Sequence, residues 1–130
     1  MKDLTISANS TAKEIEPIVA AVHELIGMPT TGRSLNKKGI CMEKEKITDF
    51  EYTGPVLEYV LKTNKTVRTI PRMGSYKGIP VIVSPIRNED NEVIAAIGVV
   101  DLVGVVDISS AFSEYPKILD EVEEAKKRIE

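Results

Sequence analysis

The sequence is poor in the side chains that build most metal and catalytic centres. Its 130 residues include one cysteine, Cys41, one histidine, His23, and no tryptophan. A single thiol cannot form an internal disulfide, and a metal site needs several cysteine, histidine or carboxylate ligands together. We therefore predict no metal and no cofactor, assign no catalytic residue, and favour a protein that is not an enzyme.

Excess positive charge and long apolar runs are also lacking. Seventeen Lys and Arg against twenty Asp and Glu leave a net charge of -3, the wrong sign for binding a nucleic-acid backbone. The longest apolar run, Val93–Val100, is far shorter than the ~20 residues that span a bilayer. The N-terminus has no apolar block followed by a cleavage site. We expect a cytoplasmic protein without a nucleic-acid or membrane partner.

What the chain does have is the composition of one globular domain. It is 42% hydrophobic and 28% charged. A chain of this length buries roughly two-thirds of its unfolded surface, so it can hold a core without disulfides. It shows no internal repeat and no Pro/Gly/Ser-rich linker. We interpret residues 1–130 as a single domain.

The first predicted helix has a clear start and a clear stop. Thr11 and Glu14 have the spacing of a capping box, and an apolar stripe follows them at three- and four-residue intervals. Gly27 ends the pattern. Pro17 leaves two alternatives: the helix is kinked there, or Pro17 lies in its first turn.

Two further helices are predicted. A short one begins at Pro55, which a first helical turn accepts, and ends at Asn64. The other begins near Ser113, and its charges change from acidic to basic along its length, as the helix dipole favours. Its apolar stripe consists of Ile118, Leu119, Val122, Ala125 and Ile129.

Five strands are predicted between these helices: residues 40–42, residues 47–50, Thr66–Ile70, Ile79–Ile86 and Val93–Val100. In the first, Ile40 and Met42 point to one face and Cys41 to the other. The last two strands are apolar at odd and even positions alike, which indicates that both faces of the sheet are covered. Pro85 and Gly98 each mark a bulge or a close backbone approach. The order of elements predicts an α+β fold with an antiparallel sheet.

Some of these segments resemble known families. Tyr76–Arg87 and Val93–Asp101, with Thr53–Glu58 and Thr66–Arg68, resemble a small family of uncharacterised archaeal proteins seen in methanogens, over roughly Gly39 to Leu102. A more distant similarity is to the second half of GAF and PAS-like (profilin-like) sensory domains. It rests on the short helix from Pro55, the strand containing Pro85-Ile86 and the strand Val-Ile-Ala-Ala-Ile-Gly. That similarity implies a five- to six-stranded antiparallel sheet with flanking helices, a ligand cavity between them, and a homodimer formed through terminal helices.

A group of basic residues is the best candidate for ligand contact. Arg68, Arg72, Lys77 and Arg87 lie on or beside neighbouring strands and could converge on a carboxylate or phosphate. The alternative is a solvated strand edge. Tyr76 offers either an aromatic wall with a hydroxyl group or a packed loop residue.

Asp101, at the end of an apolar strand, either caps the turn from Leu102 to Gly104 or faces a cavity. We include it with Arg68, Arg72, Tyr76, Lys77 and Arg87 as a candidate ligand-binding residue. His23 is interpreted as a boundary or surface residue, because it lies off the centre of its apolar stripe. Cys41 is interpreted as an inert thiol, with redox sensing left open. The loop Gly74–Gly78 precedes a strand and not a helix, so it is not a P-loop.

These observations favour a sensor-like domain that binds a small molecule, forms a homodimer and acts through a separate signalling protein. The alternative is a dimerisation or scaffold module that uses its amphipathic helices and binds no ligand.

Overall fold

The computed structural model describes residues 2–111, with side chains up to Val106. These residues form nine elements: α1 (Ala12–Ile26), β1 (Thr30–Ser34), β2 (Gly39–Glu43), β3 (Lys46–Tyr52), α2 (Pro55–Thr63), β4 (Val67–Thr69), β5 (Val81–Arg87), β6 (Val93–Val100) and α3 (Leu102–Ala111). The helix predicted from Ser113 lies outside the described residues. Among the described helices, none has the length and apolar character needed to cross a bilayer.

The six strands form one sheet in the order β3-β2-β1-β6-β5-β4. Every neighbouring pair is antiparallel. The first three strands and the last three each form half of the sheet, and the halves meet where β1 pairs with β6, from Thr30 opposite Val99 to Ser34 opposite Ala95. The predicted α+β class with an antiparallel sheet is confirmed.

Helix α1 covers one face of the sheet. Its capping box is formed, because the Thr11 N–H donates to Glu14 Oε1 (2.9 Å) and the Glu14 N–H donates to Thr11 Oγ1 (3.2 Å). The helix ends at Gly27, whose φ of 65° is left-handed. Pro17 lies inside the helix, past its first turn, so the first-turn alternative is wrong. Buried Ile15 and Val19 pack with Ile40 of β2.

Strand β1 was not among the predicted strands, although all five of its residues are buried. Its sequence, Thr-Thr-Gly-Arg-Ser, carries no large apolar side chain, so neither hydrophobic periodicity nor β-propensity marks it. Gly32 is needed where α1 crosses the strand, since an added Cβ would lie 2.7 Å from Val19 Cγ2. A buried strand under a closely packed helix can therefore be almost free of apolar side chains.

Helix α2 covers the other face. It starts with Pro55 and ends at Asn64, which has a left-handed φ of 56°, as predicted. Its buried side chains pack in one cluster with Cys41, Val83, Ala96 and Val100. Ile40 and Met42 belong instead to the cluster under α1. The predicted alternation along β2 is therefore correct. The prediction that both faces of β5 and β6 are covered holds in full on the α2 side, whereas on the α1 side Ile82, Ile97 and Val99 are only half-buried.

Three details in and after β5 and β6 can be compared with the prediction. Pro85 pairs in regular register with Ala96, and the irregularity falls between Ile86 and Arg87. Gly98 does mark a close approach, because an added Cβ would lie 2.9 Å from Val83 Cγ2. After β6 the structure has helix α3 where only a turn was predicted.

Candidate functional site

A cleft lies between the α2 side of the sheet, the start of α2 and the segment Pro71–Gly78, which we call the roof loop. Its volume is about 410 Å³ with the open mouth included, of which about 30 Å³ admits the centre of a water molecule. The lining is mainly apolar, with Pro55, Leu57 and Val83 prominent. The described residues that line it carry no charged side chain. This composition suits a neutral ligand better than an anionic one.

The floor of the cleft is formed by central strands. Thr31 of β1 pairs with Gly98 of β6, which pairs in turn with Val83 of β5. A Cβ added at Gly98 would lie 2.9 Å from Val83 Cγ2 and 3.1 Å from Thr31 Oγ1. The missing side chain of Gly98 therefore lets the side chains of Val83 and Thr31 lie close against the β6 backbone.

The roof loop is held together by its own backbone. The Gly78 N–H donates to Pro71 O (2.9 Å), and the Lys77 N–H donates to Gly74 O (3.2 Å). Gly74 and Gly78 have left-handed φ values of 88° and 79°, which glycine adopts without the strain other residues would incur. A Cβ at Gly74 would lie 3.0 Å from Pro55 Cδ, so the tip of the loop rests on the first turn of α2.

Tyr76 anchors the roof loop in the core and is only 8% exposed. Its hydroxyl group donates to Glu43 Oε2 at 2.6 Å, a short bond typical of a charged acceptor. The Tyr76 hydroxyl oxygen also lies 3.3 Å from Cys41 Sγ. Burial, with Cys41 and Glu43 nearby, raises the pKa of Tyr76 well above its usual range. Tyr76 therefore stays protonated and keeps the loop tied to β2.

A second buried tyrosine contributes a hydroxyl group to the cleft. Tyr52, at the end of β3, is hydrogen-bonded to Ser75 of the roof loop. Burial raises the pKa of Tyr52 to about 12. With Thr31 and Tyr76, the lining of this apolar space therefore includes four hydroxyl-bearing residues.

The candidate basic residues are distributed over different surfaces. Arg68 pairs with Ile82, so it lies on the sheet face opposite Val83 and the cleft. Its Nη1 atom lies 3.5 Å from Asp101 Oδ2. Arg87 donates from Nε to Asn64 Oδ1 at 2.7 Å and from Nη2 to Asn64 O at 3.1 Å.

The other candidate residues are divided between the roof loop and α3. Arg72 and Lys77 are exposed on the loop, whereas Tyr76 lines the cleft. Asp101 caps α3, because its Oδ1 accepts from the Gly104 N–H at 3.3 Å. Of the six candidate residues, Tyr76 is thus the one in the cleft. Thr31, Tyr52 and Ser75 were missed, since single hydroxyl residues outside a motif carry no sequence signal.

The histidine and the cysteine both prove to be buried. The interpretation of His23 as a boundary or surface residue is wrong, since it is 2% exposed. Its Nδ1 is 2.7 Å from Met28 O, and its Nε2 accepts from the Glu45 N–H at 2.9 Å. Burial raises the pKa of the Cys41 thiol, which keeps the sulfur in its unreactive form. Within residues 2–111 no group of His, Cys, Asp or Glu could hold a metal ion.

Comparison with known proteins agrees with the archaeal resemblance. A family described as an uncharacterized protein conserved in archaea (DUF2111) matches residues 22–108. The chain belongs to this family. An uncharacterized protein of Methanocaldococcus jannaschii is 44% identical over 117 residues, which cover 88% of each chain. No solved structure matches the chain. The family match spans β1 to β6, and so includes the floor, wall and roof of the cleft.

Proposed function

We propose that this protein binds a small, neutral and largely apolar molecule in the cleft and acts as a sensor-like domain through a separate partner protein. The observation that carries the proposal is an apolar cleft whose lining includes four hydroxyl-bearing residues and no charged side chain. Such a lining binds through apolar contact and orients its ligand with a few hydrogen bonds. The distant similarity to GAF and PAS-like domains supports the same location, between the sheet and a flanking helix.

Ligand entry requires movement of the roof loop. The space in the cleft that admits the centre of a water molecule, about 30 Å³, holds only about two water molecules, each of which needs roughly 10–15 Å³. The internal hydrogen bonds of the loop allow it to move as one unit, and Tyr76 is its anchor to β2. A bound molecule would lift the loop and change the surface that a partner meets. This change of surface is the proposed signal.

The test uses the neutral fluorophore N-phenylnaphthylamine as a probe of apolar sites. We expect its fluorescence to rise with the full-length protein and to saturate. Gly98→Ala adds a methyl group to the cleft floor and should weaken binding about tenfold, the equivalent of about 1.4 kcal/mol. The matched control is Ala95→Val, which overpacks the core on the α1 side of the sheet, away from the cleft, and should leave the affinity unchanged.

Two results would count against ligand binding. One is no saturable fluorescence with the native protein, and the other is equal affinity for both variants. Either result would favour the ligand-free dimerisation or scaffold module. Native mass spectrometry of the same samples then measures whether the protein is a homodimer.

A further inference from the structure

The α1 side of the sheet has two unequal halves. Val19 of α1 lies against Gly32 of β1, so the helix crosses the half formed by β1 and β2. In the other half, Ile82 pairs with Val99, and Ile97 pairs with Gly32. Because paired residues point to the same face, these three side chains share the face of α1. All three are half-buried, and they form an apolar floor beside the helix.

One flank of α1 forms a wall next to this floor. His23 accepts a hydrogen bond from Glu45, in the turn between β2 and β3, so the His23 flank faces those strands. With about 100° of rotation per residue, Ile18 and Leu25 lie on the opposite flank, towards β6 and β5. Ile18 is half-buried and Leu25 is 84% exposed. We call the floor and this wall the α1 groove.

We propose that the C-terminal segment Lys117–Glu130 of the same chain docks in the α1 groove as a helix. Its predicted apolar stripe is centred on Val122, and Lys127 lies on the opposite side of the helix. Docking the stripe against Ile82, Ile97 and Val99 would cover apolar side chains of both surfaces. Arg68, whose side chain is 69% exposed and which lies beside Ile82, complements the acidic residues that flank the stripe.

The lengths of the segments fit this arrangement. Fourteen residues, Lys117–Glu130, make a helix of about 21 Å, and the eight-residue strand β6 is about 26 Å long. Residues 112–116 can span about 17 Å, enough to return along α3, whose ten residues measure about 15 Å. Pro116 disfavours helix at Tyr115 and so provides the break. A tether this short gives the segment a high effective concentration at its own groove, which favours it over a second copy.

The test is the reactivity of a cysteine placed in the floor of the groove. In full-length Cys41→Ser protein, Ile82→Cys provides a single thiol for a maleimide reagent. We expect slow labelling, and labelling about tenfold faster when Val122→Glu is added, because the docked segment then opens more often. Lys127→Glu introduces the same side chain on the opposite side of the helix and should leave the rate unchanged. Ile129→Gln repeats the test near the chain end, with less risk to folding.

Two outcomes would overturn the proposal. All labelling is compared in the Cys41→Ser, Ile82→Cys background. Equal labelling rates with and without Val122→Glu or Ile129→Gln would show that the segment does not cover the groove. Slow labelling that becomes fast when the protein is diluted, together with a dimer in native mass spectra, would assign the groove to a second copy of the chain. Circular dichroism confirms that the sheet is intact in each variant.

Discussion

At the scale of single residues, His23 shows how a polar side chain can connect three elements. It lies on α1, accepts from Glu45 in the β2–β3 turn and bonds Met28 O before β1. Since Nε2 accepts from a backbone N–H, Nδ1 carries the ring proton and donates to Met28. The sequence places His23 correctly on a helix. Its position away from the centre of the apolar stripe gives no sign of the hydrogen bonds to Met28 and Glu45.

The substitution His23→Ala should therefore destabilise the fold. It removes two buried hydrogen bonds and leaves a cavity, and we expect a loss of about 3 kcal/mol in the free energy of unfolding. Urea denaturation measures the loss. Glu24→Ala, at an exposed neighbouring position on α1, is the control and should change stability by less than about 0.5 kcal/mol. Equal midpoints for the two variants would contradict this role of His23.

The two buried tyrosines predict how stability depends on alkaline pH. The unfolded chain releases the Tyr52 proton near its usual pKa of about 10, whereas the folded protein retains it until about 12. The unfolded state therefore binds fewer protons in this window, and stability should fall as pH rises through it. The raised pKa of Tyr76 acts in the same direction.

Phenolate absorbance during a pH titration tests this prediction. Tyr52 and Tyr76 should ionise only with unfolding or well above the usual tyrosine pKa of about 10. Tyr52→Phe should remove part of the late absorbance change. Ionisation of Tyr52 and Tyr76 near pH 10 while the protein is still folded would mean that they are not buried as described.

At the scale of elements, strand β1 depends on the absence of a side chain. Gly32→Ala places a Cβ 2.7 Å from Val19 Cγ2, and overpacking of this kind costs about 1–3 kcal/mol. The same substitution in a Val19→Ala background should cost much less, because the colliding methyl group is gone. A double-mutant cycle of unfolding free energies gives this coupling. Additive effects would mean that α1 does not cross the sheet at Gly32.

Most elements could be predicted because their residues agree with local physical rules. Helix α1 has its capping box and its terminal glycine, and α2 has Pro55 and Asn64. Strand β6 is a continuous apolar run, and β5 is mostly apolar. Strand β1 could not be predicted, since its burial comes from its central place in the sheet. Helix α3 was missed because residues 102–106 are as apolar as the strand before them. For β1, tertiary context and not local preference decided the structure.

At the scale of the whole molecule, sheet register explains why the six candidate residues do not lie together. The sequence places four basic residues on or beside neighbouring strands: Arg68, Arg72, Lys77 and Arg87. Strand pairing nevertheless puts Arg68 on the sheet face opposite the cleft. The cleft brings together Thr31 of β1, Tyr52 of β3, and Ser75 and Tyr76 of the roof loop, which are three separate segments of the chain. Only the folded sheet shows this grouping, because these residues share no spacing along the chain.

The most direct test of the proposed function is to map N-phenylnaphthylamine binding on the amide NMR spectrum of the full-length protein. We predict that the probe shifts amides of Thr31, Gly98, Ser75 and Tyr76, and that Gly98→Ala greatly reduces these shifts. Amides of the α1 side, such as Ile40, should stay unchanged. Shifts confined to the α1 side, or no saturable shifts, would contradict the claim that the cleft is a ligand-binding site.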